Sequence, residues 1–348
     1  MSVPPDLRGR RRHDPLLVAL NGFFTGVQKV RSLRPAYLPP VERVDRDLAL
    51  VVRQAHAVAD EVMSIVLAAP NGAVLPAWQP GCHLDLRLPS GLRRQYSLYG
   101  DPADRRTYRI ATRLIKDGGG GSAEVHRLRP GDRVTVQGPR NAFPFLDRQR
   151  YLFLAGGIGI TPILPMVRAA ERAGADWRLV YTGRSRASLP FLGELAELGG
   201  AAANAAARVI VRTDDVDGAP DATAWLQGVA LGTAVYCCGP SPMLDAVRAA
   251  VPPSATLHYE RFAPPPIVDG RPFTLELVRS GVTVEVPADR SALAVVRERL
   301  PEVPYSCRQG FCGTCRVGVL AGETDDSLDD SMLLCVSRAV GDRLRVDL

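Results

Sequence analysis

The sequence predicts a multi-domain chain of three fold classes in succession: an antiparallel β-barrel, an α/β domain on a parallel sheet, and a compact α+β module. Three observations carry this. The 348 residues suffice for two or three domains, each with its own core. The hydrophobic period changes near residue 149, from short alternating runs to apolar strands that alternate with helical stretches. Finally, four cysteines, Cys307, Cys312, Cys315 and Cys335, gather near the C-terminus.

Residues 1–45 form a basic extension, with Arg8, Arg10, Arg11 and Arg12 ahead of Leu16, Leu17, Leu20, Phe23 and Phe24. Their near-helical spacing predicts a short amphipathic helix, either packed on the protein or offered to a membrane or partner. Over 46–148, alternating runs at 83–88, 107–112 and 133–136 are separated by turns such as Pro89-Ser90-Gly91 and Pro130-Gly131-Asp132, which suits a small barrel. Over 149–262, strands are expected at 151–155, 177–181, 208–212 and 234–238, with a helix at 162–173. Strands alternating with helices imply a parallel sheet with right-handed crossovers. The proline-rich stretch 263–270 reads as a linker. The last part, 271–348, opens with strands at 273–278 and 282–286 before a helix at 293–300.

Composition excludes several classes. The formal charge is +6, but among 43 basic residues only Lys29 and Lys116 are lysines, and the arginines spread along the whole chain. That spread reads as coding bias, so no nucleic-acid partner is expected. No apolar run is long enough for a transmembrane segment, and no clear signal peptide is present. With reduced cysteines, a cytoplasmic location is expected, and a monomer.

The cysteines carry the most information. The spacing C-x4-C-x2-C at Cys307, Cys312 and Cys315 is the plant-type pattern for a 2Fe-2S cluster, because soft thiolates suit iron and a tight loop aims main-chain N–H groups at the sulfurs. Gly310 and Gly313 permit that wrap. The competing readings are a zinc site, which usually shows paired C-x2-C knuckles, and a disulfide, which nothing secretory supports. Upstream, Arg94-Gln95-Tyr96-Ser97 resembles the R-x-Y-S motif by which the ferredoxin reductase superfamily holds a flavin, which implies a guanidinium fork for its phosphate, a ring against the isoalloxazine and a hydroxyl near N5, although an ordinary alternating strand looks similar. The run Gly118-Gly119-Gly120-Gly121-Ser122 can converge backbone N–H groups on an anion, or can simply be a flexible loop. A third glycine turn, Gly156-Gly157-Ile158-Gly159-Ile160-Thr161, follows a strand and opens a helix, so a pyrophosphate can approach the main chain and Thr161 can cap the helix. Cys238-Gly239-Pro240 ends a later strand of the same expected sheet, and two loops at strand C-termini place one ligand in one crevice.

The segments 304–315 and 334–338 resemble the C-terminal ferredoxin domain of the phthalate dioxygenase reductase family, and the flavin and dinucleotide motifs occur in that family's order. The loop from Cys315 to Cys335 is shorter than the family's. The resemblance covers roughly 46–348 and implies a ferredoxin-like (β-grasp) last domain with Cys307, Cys312, Cys315 and Cys335 as cluster ligands. It implies that Arg94, Tyr96, Ser97, Gly120, Gly121 and Ser122 hold FMN rather than FAD, and that Gly156, Gly157, Gly159, Thr161, Cys238, Gly239 and Pro240 hold NADH or NADPH. Ser97, Cys238 and Phe262 are the candidate catalytic residues, Cys238 facing nicotinamide and Phe262 covering the flavin or merely closing the domain. Arg184 and Arg186, after the second strand of the sheet, lean weakly toward a 2′-phosphate and hence NADPH.

Hydride leaves nicotinamide as two electrons and a 2Fe-2S cluster accepts one, so a flavin must stand between them. The expected function is an NAD(P)H-dependent flavin/iron–sulfur reductase whose acceptor is an oxygenase of the Rieske non-haem iron, P450 or di-iron type. The alternatives are a reductase acting directly on free flavin, ferric chelates or oxygen, and a non-catalytic electron carrier. The carboxylates Asp325, Asp326, Asp329 and Asp330 follow the cluster loop; they are either a solvated turn or a surface steering a basic acceptor.

Overall fold

The computed structural model describes residues 47–116, 120–200, 208–262, 267–305, 308–310, 313–326, 328 and 330–348, together with Ala19, Leu20 and Gly22. The expected amphipathic helix therefore lies almost wholly outside the described residues; Ala19, Leu20 and Gly22 are helical and exposed. Residues 46–348 pack as one unit.

Its first layer is a six-stranded antiparallel sheet of β1 (Asp47–Ala59), β2 (Val62–Ala68), β3 (Cys82–Arg87), β4 (Arg93–Ser97), β5 (Thr107–Arg113) and β6 (Arg133–Asn141), in the order β4-β3-β6-β1-β2-β5. Alternation explains the curl: Leu84 and Leu86 of β3, Ile65 and Leu67 of β2, and Tyr108 and Ile110 of β5 all point into one core. A single bridge between Leu98 and Ile110 brings the two edges together. β6 runs well past the expected 133–136, because it pairs with both β1 and β3. Those ladders override the interruption at Gly138-Pro139. The short helix α1 (Gly121–His126) follows the glycine run, and the Glu124 carboxylate accepts from Ser90 N at 2.9 Å and Ser90 Oγ at 2.6 Å, which pins the 89–91 turn to it.

The second layer is a parallel sheet of β7 (Arg150–Gly156), β8 (Asp176–Gly183), β9 (Val209–Thr213), β10 (Ala234–Cys238) and β11 (Thr256–Glu260), ordered β11-β10-β7-β8-β9. The chain runs outward from β7 through β8 to β9, then returns to the other side of β7 with β10. That reversal makes the C-terminal ends of β7 and β10 a topological switch point, where open α/β sheets bind ligands. Helix α2 (Ile160–Arg172) packs on this sheet through Ile163, Leu164, Met166 and Val167. Its half-buried Arg168 ties the barrel to the sheet: Nη1 donates to the carbonyls of Tyr99 (2.6 Å) and Gly100 (2.9 Å), while the guanidinium pairs with Glu194 on α3 (Leu192–Gly200).

The third layer joins β12 (Phe273–Leu277), β13 (Val282–Val286), β14 (Arg316–Ala321), β15 (Ser331–Leu333) and β16 (Arg343–Val346) in the order β13-β12-β16-β14-β15. β12 and β16 are parallel and the other pairs antiparallel. A helix at Ala292–Arg299, N-capped by the Ser291 hydroxyl accepting from Ala294 N at 3.3 Å, covers the sheet with Leu293 and Val296. Among the described residues no helix is long and apolar enough to cross a membrane.

Candidate functional site

At the switch point the two predicted turns meet with almost no room between them. A β-carbon on Gly156 would lie 2.7 Å from Pro240 Cδ and 2.8 Å from Met243 Sδ, and one on Gly159 would lie 2.1 Å from the Cys238 carbonyl oxygen. Glycine is required at both positions by close approach. The turns open into a cleft of about 360 Å³ bordered by Gly157, Thr182, Arg184, Asp214, Ser241 and Phe262. Thr161 does not cap the helix as expected: it is already inside the first turn, buried, and its hydroxyl donates to the Ile158 carbonyl at 3.0 Å. No side chain caps α2; the 3-10 turn Gly157–Gly159 leads directly into it, and the Ile160 N–H bonds back to the Gly157 carbonyl. Arg184 borders the cleft; Arg186, expected beside it, opens a separate 3-10 turn and does not. Cys238 is fully buried, and burial raises its thiol well above the ordinary range, which leaves it neutral.

Next to the cleft is a second cavity, bordered by His83, Arg94, Ser97, Glu260, Phe262 and Arg308. The two barrel motifs converge beside it. Gly121 has no β-carbon because the Arg94 side chain occupies that space: a β-carbon there would be 2.5 Å from Nε. Gly120, at φ +76, makes the left-handed turn into α1. Gly118 and Gly119 lie outside the described residues. Ser122 spends its lone pair on Ile115 N at 3.0 Å, which holds the turn against β5. Tyr96 is half-buried, with burial raising its phenol above the ordinary range. Ser97 is buried and donates to Glu260 Oε2 at 3.4 Å.

Glu260 and His83 are the residues that sequence reading passed over. Glu260 ends β11 directly beside Cys238 in the parallel register, and burial pushes its carboxyl up to about 8. The available signal was position: a carboxylate at the C-terminal end of the edge strand β11, paired with Cys238 beside the Cys-Gly-Pro turn. His83 is buried, and desolvation lowers its ring below the ordinary range. A folded carboxyl near 8 against an ordinary 4.5 means that the native state holds a proton which the unfolded state releases between those values. Stability from this group is thus complete below about 4.5 and lost as pH rises through 8. In that window the decline is at most about 1.4 kcal/mol per pH unit. Glu260→Gln is expected to flatten the fall in urea midpoint between pH 5.5 and 8 and to be the more stable protein at pH 8; parallel curves for the two proteins would reject the buried neutral acid.

In the third domain Cys315 and Cys335 are both buried and their thiols share a hydrogen bond, which brings Cys315 down to about 7. Cys307 and Cys312 lie outside the described residues. The loop around them turns through positive φ at Arg308 (57), Gly310 (88) and Gly313 (70), and a β-carbon on Gly310 would press on Val336 Cγ2 at 2.9 Å. Two soft thiols at hydrogen-bond contact under such a loop fit an iron–sulfur cluster. Cys335 also borders a cavity of about 310 Å³ shared with Arg93, Arg94, Arg297, Tyr305 and Arg308. Tyr305 lies between two guanidinium groups, Arg297 at 4.2 Å and Arg308 at 4.4 Å from its ring. The acidic stretch is largely used internally: Asp325 accepts from Arg338 N at 2.7 Å, and Asp326 accepts from Thr324 Oγ1 at 2.9 Å and from Ser337 Oγ. Those bonds tie Asp325 and Asp326 to their own loop, while Asp325 and Asp330 remain exposed. Asp329 lies outside the described residues.

This is the layout of a modular redox chain, with the dinucleotide crevice sharing Phe262 with a polar cavity that Arg308 and Gln309 of the third domain also border. Comparison with known proteins agrees: residues 153–249 match the oxidoreductase NAD-binding domain model and residues 275–340 the 2Fe-2S iron–sulfur cluster binding domain model. The chain belongs to the phthalate dioxygenase reductase family. It is 35% identical to phthalate dioxygenase reductase of Burkholderia cepacia over 87% of this chain and 98% of that one, and 37% identical to the phthalate 4,5-dioxygenase oxygenase reductase subunit of Pseudomonas putida over 84% and 94%. The solved phthalate dioxygenase reductase, described as a modular structure for electron transfer from pyridine nucleotides to [2Fe-2S], superposes with a TM-score of 0.68 over 87% of this chain and 98% of that one, at 35% identity. Full-length CYP116B46 of Tepidiphilus thermophilus superposes at 0.65 and 38% identity, over 87% of this chain but 42% of its own.

Proposed function

We propose that this protein takes hydride from NADH or NADPH onto FMN and passes single electrons through its 2Fe-2S cluster to a partner oxygenase. One observation carries the reading: the cavity holding Arg94, Ser97 and Glu260 is bordered by Phe262, which also borders the dinucleotide cleft, and by Arg308 of the cluster loop. Donor, intermediate and acceptor sites therefore adjoin one another in one unit. FMN supplies the step between two-electron and one-electron chemistry when bound. The chain's own residues do the rest. Arg94 and the bare main chain at Gly120 and Gly121 are suited to its phosphate, and Ser97, backed by the neutral Glu260, presents a hydroxyl at the buried end of the cavity. Gly156, Gly157, Gly159, Gly239 and Pro240 leave main chain open to a pyrophosphate, and neutral Cys238 packs behind the nicotinamide position. Cys307, Cys312, Cys315 and Cys335 are the cluster ligands. Arg184 and Asp214 border the same cleft, one suited to a 2′-phosphate and the other to a 2′-hydroxyl, so both nucleotides stay in the proposal.

The oxygenase as acceptor is supported by the relatives, which include the carnitine monooxygenase reductase subunit of Escherichia coli, and by an intact type IV self-sufficient cytochrome P450 monooxygenase, 41% of whose chain this one covers. Reduced, buried thiols at Cys82, Cys237 and Cys238 support a cytoplasmic location. The test is composition and turnover: the extracted flavin should be FMN, and NAD(P)H should drive reduction of cytochrome c. Arg94→Ala should weaken FMN retention by roughly tenfold or more, as expected for loss of a charge-assisted contact worth about 1.5–3 kcal/mol. Ser122→Ala should weaken it less. Extraction of FAD, or FMN affinity unmoved in Arg94→Ala, would overturn the flavin assignment.

A further inference from the structure

Among the described residues of the cluster loop, the Gln309 side chain hydrogen-bonds to the second domain. Gln309 lies between the two positive-φ residues Arg308 and Gly310, and its carboxamide makes two hydrogen bonds to the same residue across the domain boundary. Its Oε1 accepts from the Arg261 backbone N–H at 3.2 Å, and its Nε2 donates to the Arg261 carbonyl. A neighbouring strand would make this same pair of bonds, so the amide extends the pairing of β11 by one residue. Arg261 is held from the other side too: its side chain is buried, and Nη2 donates to Asp245 Oδ1 at 2.6 Å. The segment is therefore fixed at main chain and side chain, and the next residue is Phe262.

Phe262 is 49% exposed and borders both the dinucleotide cleft and the polar cavity. A nicotinamide entering from the cleft meets a flavin in the cavity at this ring, so Phe262 must yield. Its backbone cannot move far without breaking the bonds that Gln309 makes.

We propose that Gln309 is a positioning residue, a latch that ties the Phe262 gate to the cluster loop, so that hydride entry and electron exit share one mechanical link. The proposal rests on the flavin reading above. Held, the latch keeps the cluster loop against the flavin cavity; released, it loosens the gate and the cluster path together. Asparagine is one methylene too short to span the gap, leucine removes both bonds, and glutamate keeps only the acceptor half.

Hydrogen–deuterium exchange and transient kinetics on the holoprotein test this. Gln309→Leu should expose the Arg261 amide to exchange by roughly tenfold or more, the loss expected when a bond worth about 1 kcal/mol and its cooperative partner vanish. It should lower the ratio of cytochrome c reduction, which needs the cluster, to ferricyanide reduction, which the flavin alone can serve, by a similar factor. Gln309→Glu should fall between Gln309→Leu and wild type in both readouts, and it remains decisive if the leucine variant loses its cluster. The EPR signature of the reduced centre should stay that of wild type in Gln309→Glu. Unchanged exchange at Arg261 in both variants, or an unchanged acceptor ratio in both, overturns the latch. Exchange at Arg261 needs no flavin, so a failure of the flavin assignment is seen separately, in the wild-type protein's flavin content and turnover.

Discussion

Cys335→Ser is expected to remove or destabilise the iron–sulfur centre and to cut NAD(P)H-driven cytochrome c reduction by at least about a hundredfold. Changes outside a metal's own ligands already cost about 10–100-fold, so loss of a thiolate ligand must cost more. Serine keeps the shape but offers a hard, protonated oxygen to a soft centre. Cys335 follows β15 and is buried with Cys315 in the core of the third domain. Its loss should therefore be read in absorbance and EPR before activity. Flavin-level reduction of ferricyanide should survive, because Arg94, Ser97 and Glu260 belong to other domains. Cys307→Ser and Cys312→Ser should behave alike. A full reduced-state EPR signal in Cys335→Ser would remove it from the ligand set, and the short loop between Cys315 and Cys335 would then need another fourth ligand.

Gly159→Ala should be the most damaging single methyl group in the second domain. The new carbon would lie 2.1 Å from the Cys238 carbonyl oxygen and 2.6 Å from its carbonyl carbon, so two main chains at the centre of a parallel sheet must separate. Overpacking in a close-packed interior costs about 1–3 kcal/mol, and backbone yields less readily than a side-chain tip. At about 2–4 °C per kcal/mol the melting temperature should drop by several degrees. The same displacement splays the Gly156 and Gly239 turns, so KM for NAD(P)H should rise by roughly tenfold or more while flavin content holds. Gly193→Ala is the matched control: nothing lies within 4 Å of its added carbon, and alanine in helix α3 should be neutral or stabilising. Equal melting points for the two variants would show that the turns have slack which this packing does not suggest.

The architecture was legible because its signals are local. Period-two alternation in 83–88 and 107–112 can bury only one face, and the strand–glycine–helix run at 151–161 has few alternatives. The cysteine spacing and the two strand-end turns are equally local, and they carried the family. Distances between segments were not legible. Nothing in the order of residues shows that Arg94 fills the space over Gly121, that Arg186 turns away while Arg184 borders the cleft, or that Asp325 and Asp326 are tied to their own loop. Thr161 looked like a cap because capping is read from neighbours, whereas its partner is set by where the helix actually begins. Glu260 was invisible for the same reason: its proton is held by burial at the meeting of two domains, and burial is a property of everything packed around a residue. The sequence thus determined which chemistry each domain can host, through residue type and spacing. Only the tertiary structure decided that Glu260, Phe262 and the cluster loop adjoin one cavity, because that adjacency comes from packing three independent cores against one another.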